Sequence, residues 1–161
     1  GLLICYDINF HELTRCHELK GAELLIWTTM RQGEHEYGQV HAVLPARAIE
    51  HGLPLAVATY VTEHQVVGRK PLSSLCFNAL GQAVAGGQFN PGLVRATVDL
   101  DDKVLAARRW DHPDLIDESS YLRRQRRPDL YGALVKPIPP EERDIEREPT
   151  LRRLEDYHPS L

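Results

Sequence analysis

Two kinds of hydrophobic pattern alternate along the first 107 residues. Short, nearly continuous apolar runs at Leu2–Cys5, Glu23–Trp27 and Leu55–Tyr60 predict buried strands. Apolar residues recur at helical spacing in Phe10–Lys20 and in Tyr37–His51, which predicts a helix between successive strands. The chain is therefore expected to begin as strand, helix, strand, helix, strand.

Glycine and proline mark the limits of the predicted helices. Gly21 and Gly52 follow the last helical positions, where glycine commonly ends a helix. Pro45 lies inside the second helix and predicts a kink or a split there. The polar segment Thr28–Glu36 predicts a loop before that helix. The first helix places its apolar residues on one face: Phe10, Leu13, Cys16 and Leu19.

Shorter elements follow the third strand. Ser74–Asn78 and Gln82–Ala85 flank the turn sequence Ala79-Leu80-Gly81 and predict a hairpin. Leu93–Asp99 alternates like a further strand, and Val104–Arg109 is expected to be a short helix. Strands that alternate with helices in this way predict an α/β fold, in which the helices cover one face of a sheet.

The opposite face of the predicted sheet also needs cover. Ile4, Leu25, Ala56 and Ala58 lie in strands with little polar alternation, as in sheets that are buried on both faces. The chain has few further helices to provide that cover. A second sheet or a partner is therefore implied.

Charge density divides the chain near residue 107. In residues 108–161, 23 of 54 residues are charged, against 19 of the first 107. We therefore expect a core-bearing region at 1–107 and an extended, charged C-terminal tail at 108–161. Such a polar tail has few apolar residues to pack against its own domain. We therefore expect it to reach across a neighbouring subunit.

Composition limits the classes of partner. The net charge of −4 gives no basic footprint for nucleic acid, and acidic residues surround the arginine-rich run 123–127. No apolar run approaches the roughly 20 residues of a membrane span. Three cysteines without paired spacing favour a reducing, cytoplasmic setting over a disulfide framework or a zinc site.

Cys5 is the candidate for chemistry. It stands where an apolar strand gives way to a turn and a helix, the arrangement in which a nucleophile is presented beside backbone N–H groups. Spacing alone equally describes a small buried hydrophobic residue. The choice between these interpretations depends on the surrounding sequence.

Four segments, in this order, resemble the nitrilase (carbon–nitrogen hydrolase) superfamily. The first is Leu3-Ile4-Cys5-Tyr6-Asp7, followed by Phe10, Glu12, Arg15 and Lys20–Glu23. The second is Ala46–Glu50, followed by Gly52 and Leu55–Thr59. The third and fourth are Asn78–Gly81 and Arg127–Tyr131. The resemblance runs from Gly1 to about Tyr131. It implies a partial αββα sandwich, in which this chain supplies one sheet with its flanking helices.

The resemblance also implies an activity. Members hydrolyse amides, carbamoyl compounds or nitriles through a cysteine thioester, without metal or cofactor, and usually as homo-oligomers. Cys5 matches the nucleophile, and Tyr6 the residue whose backbone N–H stabilises the oxyanion. The family's glutamate base and its lysine lie upstream of the cysteine and match nothing here. The chain thus resembles the C-terminal half of such an enzyme, inactive by itself.

Other polar residues have both a functional and a structural interpretation. Thr28 and Thr29 end the second strand, where they either line a substrate pocket or begin a solvated loop. Asp7 is expected to form a hydrogen bond within the turn rather than to activate the thiol. Helix-face ion pairs are expected for Glu12 with Arg15 and for Arg47 with Glu50. The histidines lack metal-ligand spacing, so we expect them on the surface.

Two other functions remain open. The chain is either a non-catalytic binding or assembly protein, or a Cys–His hydrolase in which His35 or His41 serves as the base. A glutamate and a lysine in the upstream coding sequence would distinguish the amidohydrolase from the first alternative. The distance from Cys5 to His35 or His41 tests the second.

Overall fold

The computed structural model describes residues 1–29, 39–59, 73–87, 92–101, 105–107, 115–117 and 122–140. The chain divides into two compact units, Gly1–Gln125 and Arg126–Leu161. In the first unit, a five-stranded sheet carries helices between its parallel strands. Its elements are β1 (Leu2–Ile4), a 3₁₀ helix (Cys5–Asn9), α1 (His11–Leu19), β2 (Leu25–Thr29), a π-helix (Gln39–Val43), α2 (Leu44–His51), β3 (Leu55–Thr59), β4 (Leu75–Phe77) and β5 (Ala83–Gly86).

The strands lie in sequence order, β1-β2-β3-β4-β5. β1, β2 and β3 are parallel, with Ile4 opposite Thr28 and Thr28 opposite Ala58. β4 and β5 add antiparallel strands through the predicted hairpin. The α/β fold and the hairpin are confirmed.

One face of the sheet holds the core. Its side chains, which we call the covered face, belong to Leu3, Leu25, Trp27, Leu55 and Val57. They pack with Ile8 from the 3₁₀ helix and with Leu44 and Ala48 from α2. The helices therefore cover one face, as the alternating elements predict.

The other face presents apolar side chains to solvent. This open face consists of Leu2, Ile4, Ile26, Thr28 and Ala58, all exposed. Leu2 and Ile4 retain 56% and 59% of their accessible surface. The predicted need for further cover thus corresponds to bare apolar surface on the described part of the sheet.

Helix limits follow the glycine and proline signals. Gly21 and Gly52 adopt φ of +88° and +60°, left-handed values that end α1 and α2 at little steric cost. Pro45 falls in the first turn of α2, directly after the π-helix. Proline lacks an N–H and cannot continue a regular helix from its N-terminal side, so the predicted split is confirmed.

Three predicted elements are wrong. Residues 93–99 form no regular element, and Leu105–Ala107 is a strand, β6, rather than part of a helix. β6 pairs with β7 (Leu115–Asp117), and this non-local ladder overrides the local helical tendency of an alanine-rich segment. Thr28 and Thr29 lie within β2 and not in a loop; positions 30–38 fall outside the described residues.

The second unit contains a 3₁₀ helix at Pro128–Val135. Before it, the Arg127 guanidinium donates two hydrogen bonds to the Asp129 carboxylate, at 3.0 and 2.6 Å. Apolar side chains of this unit, including Leu130, Leu134 and Val135, are exposed. The division into a domain at 1–107 and a tail at 108–161 stays a prediction. In the residues that the structure describes, no helix is long and apolar enough to span a membrane.

Candidate active site

Cys5 is held in a strained turn at the carboxyl end of β1. Its φ of +48° is the only positive value among non-glycine residues in the described segments. Left-handed backbone costs an L-residue with a Cβ about 1–2 kcal/mol, so neighbouring contacts must maintain it. The Cys5 side chain is partly exposed. The turn thus presents a thiol to the surface, as a nucleophile elbow does.

Side chains of the sheet and of the turn itself form hydrogen bonds with the turn backbone. The buried Trp27 indole Nε1 donates to the Cys5 carbonyl oxygen at 2.9 Å. The Ile4 N–H donates to Asp7 Oδ2 at 3.0 Å, which confirms the predicted hydrogen bond of Asp7 within the turn. Asn9 Nδ2 donates to the Tyr6 carbonyl oxygen at 2.9 Å. The backbone on both sides of Cys5 is therefore fixed by side chains.

Helix α2 also contacts the turn. Arg47 Nε donates to the Ile8 carbonyl oxygen at 3.3 Å, and Arg47 Nη1 contacts Glu50 Oε2 at 3.2 Å. The predicted Arg47–Glu50 pair is confirmed. Because Ile8 is fully buried in the core, the turn is attached to both the sheet and the helix layer.

A cluster of charged and polar side chains joins α1 to α2. His51 Nδ1 lies 2.8 Å from Glu18 Oε2, and Arg15 pairs with the same carboxylate oxygen of Glu18. The predicted Glu12–Arg15 pair is wrong, since Arg15 faces α2 and Glu12 contacts His11 at 3.3 Å. The expectation of surface histidines is wrong for His51, because the Glu18 carboxylate compensates its burial.

Helix α1 turns polar residues inward. Its buried positions are Thr14 and Glu18, one helical turn apart, and Glu18 contacts His51 of α2. The apolar residues that share one face of the sequence pattern are exposed instead: Phe10, Leu13, Cys16 and Leu19. We call these four residues the α1 stripe. The repeat of the sequence thus predicts a common face without showing what that face contacts.

The two threonines lie beside the turn. Thr28 is opposite Ile4, the residue before Cys5, and Thr29 is opposite Thr59 on β3. Thr28 is exposed and Thr29 is buried. The carboxyl ends of these two parallel strands are therefore neighbours. β1 is the edge of the described sheet, because each later strand is added beyond β2.

Two exposed aromatic side chains, Tyr6 and Phe10, contact each other near the start of α1. The Tyr6 and Phe10 rings meet edge to face, with centroids 5.7 Å apart. Tyr6 follows Cys5 directly, so its backbone N–H belongs to the peptide that also carries the Cys5 carbonyl. The turn thus combines a partly exposed thiol, the backbone N–H of the next residue and an exposed aromatic pair.

The remaining cysteines have different surroundings. Cys16 is exposed on α1, and Cys76 is buried in β4, where desolvation raises the pKa of its thiol. Cys76 is thus a structural residue in an apolar setting. In the described segments, no group of three or more His, Cys, Asp or Glu side chains could hold a metal ion.

Comparison with known proteins agrees with this arrangement. The sequence model of the carbon-nitrogen hydrolase family matches residues 1–108. The chain belongs to that family. Mouse deaminated glutathione amidase is 31% identical over 138 residues, which are 86% of this chain and 40% of the mouse protein. This carbon-nitrogen hydrolase chain therefore spans less than half the length of that relative.

Solved structures share the fold of this carbon-nitrogen hydrolase chain. A carbon-nitrogen hydrolase from Helicobacter pylori G27 superposes with a TM-score of 0.62 at 25% identity, over 84% of this chain and 48% of that one. An amidase variant from Nesterenkonia sp. AN1 gives 0.59 at 27% identity, over 81% and 41%. In that structure, the acetamide moiety of fluoroacetamide is covalently added at the active site cysteine.

Sequence reasoning missed two parts of the site of this carbon-nitrogen hydrolase chain. The sequence pattern places Trp27 in a strand, and only its register opposite Leu3 puts the indole on the face next to the turn. His51 continues a helical repeat with buried Leu44 and Ala48, which is the signal that predicts its burial. His35 lies outside the described residues and His41 lies on the π-helix, so the Cys–His alternative stays a hypothesis.

Proposed function

We propose that this chain carries the nucleophile of a thiol amidohydrolase, with Cys5 attacking a non-peptide C–N substrate. The observation that carries the proposal is the strained, partly exposed Cys5 at the end of β1, inside the segment that matches the family. The cysteine adduct in the Nesterenkonia amidase supports the same chemistry for Cys5. The amidases among the relatives favour an amide over a nitrile as the substrate.

The proposed reaction has two stages. The base takes the proton of the Cys5 thiol, and the thiolate forms a bond to the amide carbonyl carbon. The C–N bond then breaks, and the base returns that proton to the leaving amine. Water then attacks the thioester carbon, which releases the carboxylic acid and returns the thiol. In both stages the Tyr6 backbone N–H donates to the oxyanion, and the exposed Thr28, opposite Ile4 on β1, lines the substrate side of the turn.

Residues 1–161 are proposed to be one part of the catalytic unit. The glutamate base and the lysine of the family are supplied from outside these residues. Removing a general base costs about 10²–10⁴-fold in rate, and removing an oxyanion donor costs about 10²–10³-fold. The chain alone is therefore expected to show no measurable turnover.

Two surfaces support the idea of further cover. The open face of the sheet would pack against the second sheet of an αββα sandwich. The α1 stripe would pack against a second copy of the chain, and the tail 108–161 would reach across to that copy. Leu13→Asp should then shift the full-length protein toward monomer in sedimentation velocity, whereas Glu12→Gln, the matched control on α1, should not. The cytoplasmic setting stays a prediction.

The experiment uses the full-length product of the coding region and the isolated chain side by side. Both are assayed with small amides, carbamoyl amino acids and nitriles, and then with fluoroacetamide followed by peptide mass analysis. The proposal expects amide turnover only in the full-length protein, loss of turnover in Cys5→Ala, and modification at Cys5. Cys16→Ala and Cys76→Ala are the matched controls and should remain active.

A binding or assembly role is the second candidate, and the exposed apolar surfaces on the sheet and α1 favour it. This role predicts self-association without turnover in the full-length protein. Full-length activity that survives Cys5→Ala would contradict Cys5 as the nucleophile. Turnover by the isolated chain that disappears in Cys5→Ala would contradict the external base and lysine.

A further inference from the structure

Trp27 makes a contact that its role in the core does not require. The indole is completely buried on the covered face of β2, and its Nε1 donates to the carbonyl oxygen of Cys5 at 2.9 Å. Many buried apolar residues would fill this space, but only a donor satisfies that carbonyl. The contact connects the core of the sheet to the backbone of the proposed nucleophile.

The Cys5 carbonyl and the Tyr6 N–H belong to one planar peptide. A hydrogen bond that fixes the carbonyl oxygen therefore also fixes the direction of the N–H on the opposite side of the plane. It also polarises the peptide, which strengthens the N–H as a donor. Cys5 has a φ of +48°, so this peptide would rotate toward a relaxed conformation without such a restraint.

Two other side chains near Cys5 form hydrogen bonds with neighbouring peptides of the turn. The Asp7 carboxylate accepts from the Ile4 N–H, in front of Cys5, and Asn9 donates to the Tyr6 carbonyl, one peptide further on. Of the three contacts, only the indole acts on the peptide between Cys5 and Tyr6. Of the three side chains Trp27, Asp7 and Asn9, only Trp27 is buried.

We propose that Trp27 is a positioning residue for the oxyanion hole: its indole N–H holds the Cys5 carbonyl so that the Tyr6 N–H points at the oxygen of the tetrahedral intermediate. This inference rests on the proposed function of Cys5. It gives Trp27 no contact with substrate. The indole acts on the second reactive group of the turn, the N–H, rather than on the thiol itself.

The test uses the full-length protein with Trp27→Phe, which keeps an aromatic ring and removes the N–H. Loss of one buried hydrogen bond that organises an oxyanion donor should lower kcat for an amide about tenfold and leave KM within about twofold. Alkylation of Cys5 by iodoacetamide is a displacement at saturated carbon and develops no oxyanion. Its rate should therefore change less than about threefold.

A second variant separates shape from hydrogen bonding. Benzothienylalanine at position 27 keeps the bicyclic outline and replaces the N–H by sulfur, so it should reproduce the loss of kcat even if Trp27→Phe does not fold. Leu25→Val is the matched control, since Leu25 is buried on the same face of β2 and lies two residues from Trp27. It should lower the melting temperature without lowering kcat.

Each outcome decides the inference. A lowered kcat in both position-27 variants, with unchanged KM and nearly unchanged alkylation, supports it. Unchanged kcat in either variant, or an equal loss of kcat in Leu25→Val, overturns it while the proposed function stands. Parallel loss of alkylation and turnover overturns it in favour of a role in placing the thiol. Turnover that survives Cys5→Ala overturns the proposed function, and this inference with it.

Discussion

The two faces of the sheet have similar composition and opposite surroundings. On β2, Leu25 is fully buried, while the next residue, Ile26, retains 41% of its accessible surface. Both are branched aliphatic residues in one strand, so hydrophobicity does not distinguish them. The difference is that the helices and the 3₁₀ turn cover one face of the sheet. The residues that the structure describes do not cover the open face at Ile26. An apolar strand thus predicts that both faces are to be covered, but it does not identify the cover.

The largest effect should come from loosening the helix layer on the covered face. Glu18→Ala leaves Arg15 and buried His51 without their shared carboxylate. Removing one partner of a buried pair costs up to about 3–5 kcal/mol, and here the lost group is the nearly completely buried Glu18 carboxylate. Urea denaturation should detect this loss in the free energy of unfolding.

Glu12→Ala is the control for that substitution. Glu12 lies on the same helix and pairs with a solvent-exposed histidine, His11. Exposed pairs contribute roughly 0–1 kcal/mol. Equal losses in the two variants would mean that the Glu18 cluster does not connect the helices as described.

Neighbouring residues of β2 provide the next test. In the isolated chain, Leu25→Ala should cost about 2–5 kcal/mol, because it leaves a cavity in the core. Ile26→Ala should cost less than about 1 kcal/mol, because it removes exposed surface. If a second sheet covers the open face in the full-length protein, the cost of Ile26→Ala should rise there to about 2 kcal/mol or more. An equally small cost in both proteins would contradict a second sheet.

Cys76 tests where the open face ends. It lies opposite Ala56, which lies opposite Ile26, so the three residues form one row across the sheet, and yet Cys76 is buried. Desolvation raises the pKa of its thiol. The neutral thiol is favoured in the folded state, so its contribution to stability is present below the ordinary thiol value of about 8.5 and is lost as pH rises through the raised folded value.

The stability difference between the wild type and Cys76→Ala should therefore shrink as the pH rises above about 9. Calorimetry at several pH values measures it. Alkylation should modify exposed Cys16 well before Cys76. Equal rates would show that the Cys76 end of the row is as open as the Ile26 end.

The smallest effect is expected in the second unit. The hydrogen bonds from Arg127 lower the pKa of the Asp129 carboxyl. The stabilisation from this pair is present above the ordinary aspartate value of about 3.9 and is lost as pH falls through the lowered folded value. A carboxyl titration followed by NMR should return to the ordinary midpoint in Arg127→Gln. An unchanged midpoint would contradict the pairing.

Local signals predict much of the fold. The first three strands, α1 and the glycines that end the helices follow from periodicity and from backbone freedom at Gly21 and Gly52. The failures concern distant partners. Leu105–Ala107 becomes a strand because Leu115–Asp117 pairs with it, and no local pattern contains that pairing.

The site was partly predictable for the same reason. The position of Cys5 after an apolar strand is a local signal, and so is the hydrogen bond of Asp7. The Trp27 contact joins residues 22 positions apart, and the Glu18–His51 contact joins residues 33 positions apart. Such contacts depend on strand register and helix packing, which a single sequence does not specify.

The left-handed backbone at Cys5 means that the residue needed for catalysis is not the residue that would be most stable at this position. Glycine adopts a φ of +48° without the Cβ penalty, so Cys5→Gly should be more stable than Cys5→Ala by about 1 kcal/mol. Selection for stability alone would therefore favour glycine at this position, and only selection for activity would retain cysteine. In duplicated gene copies that have lost the activity, glycine at position 5 should accumulate more often than alanine.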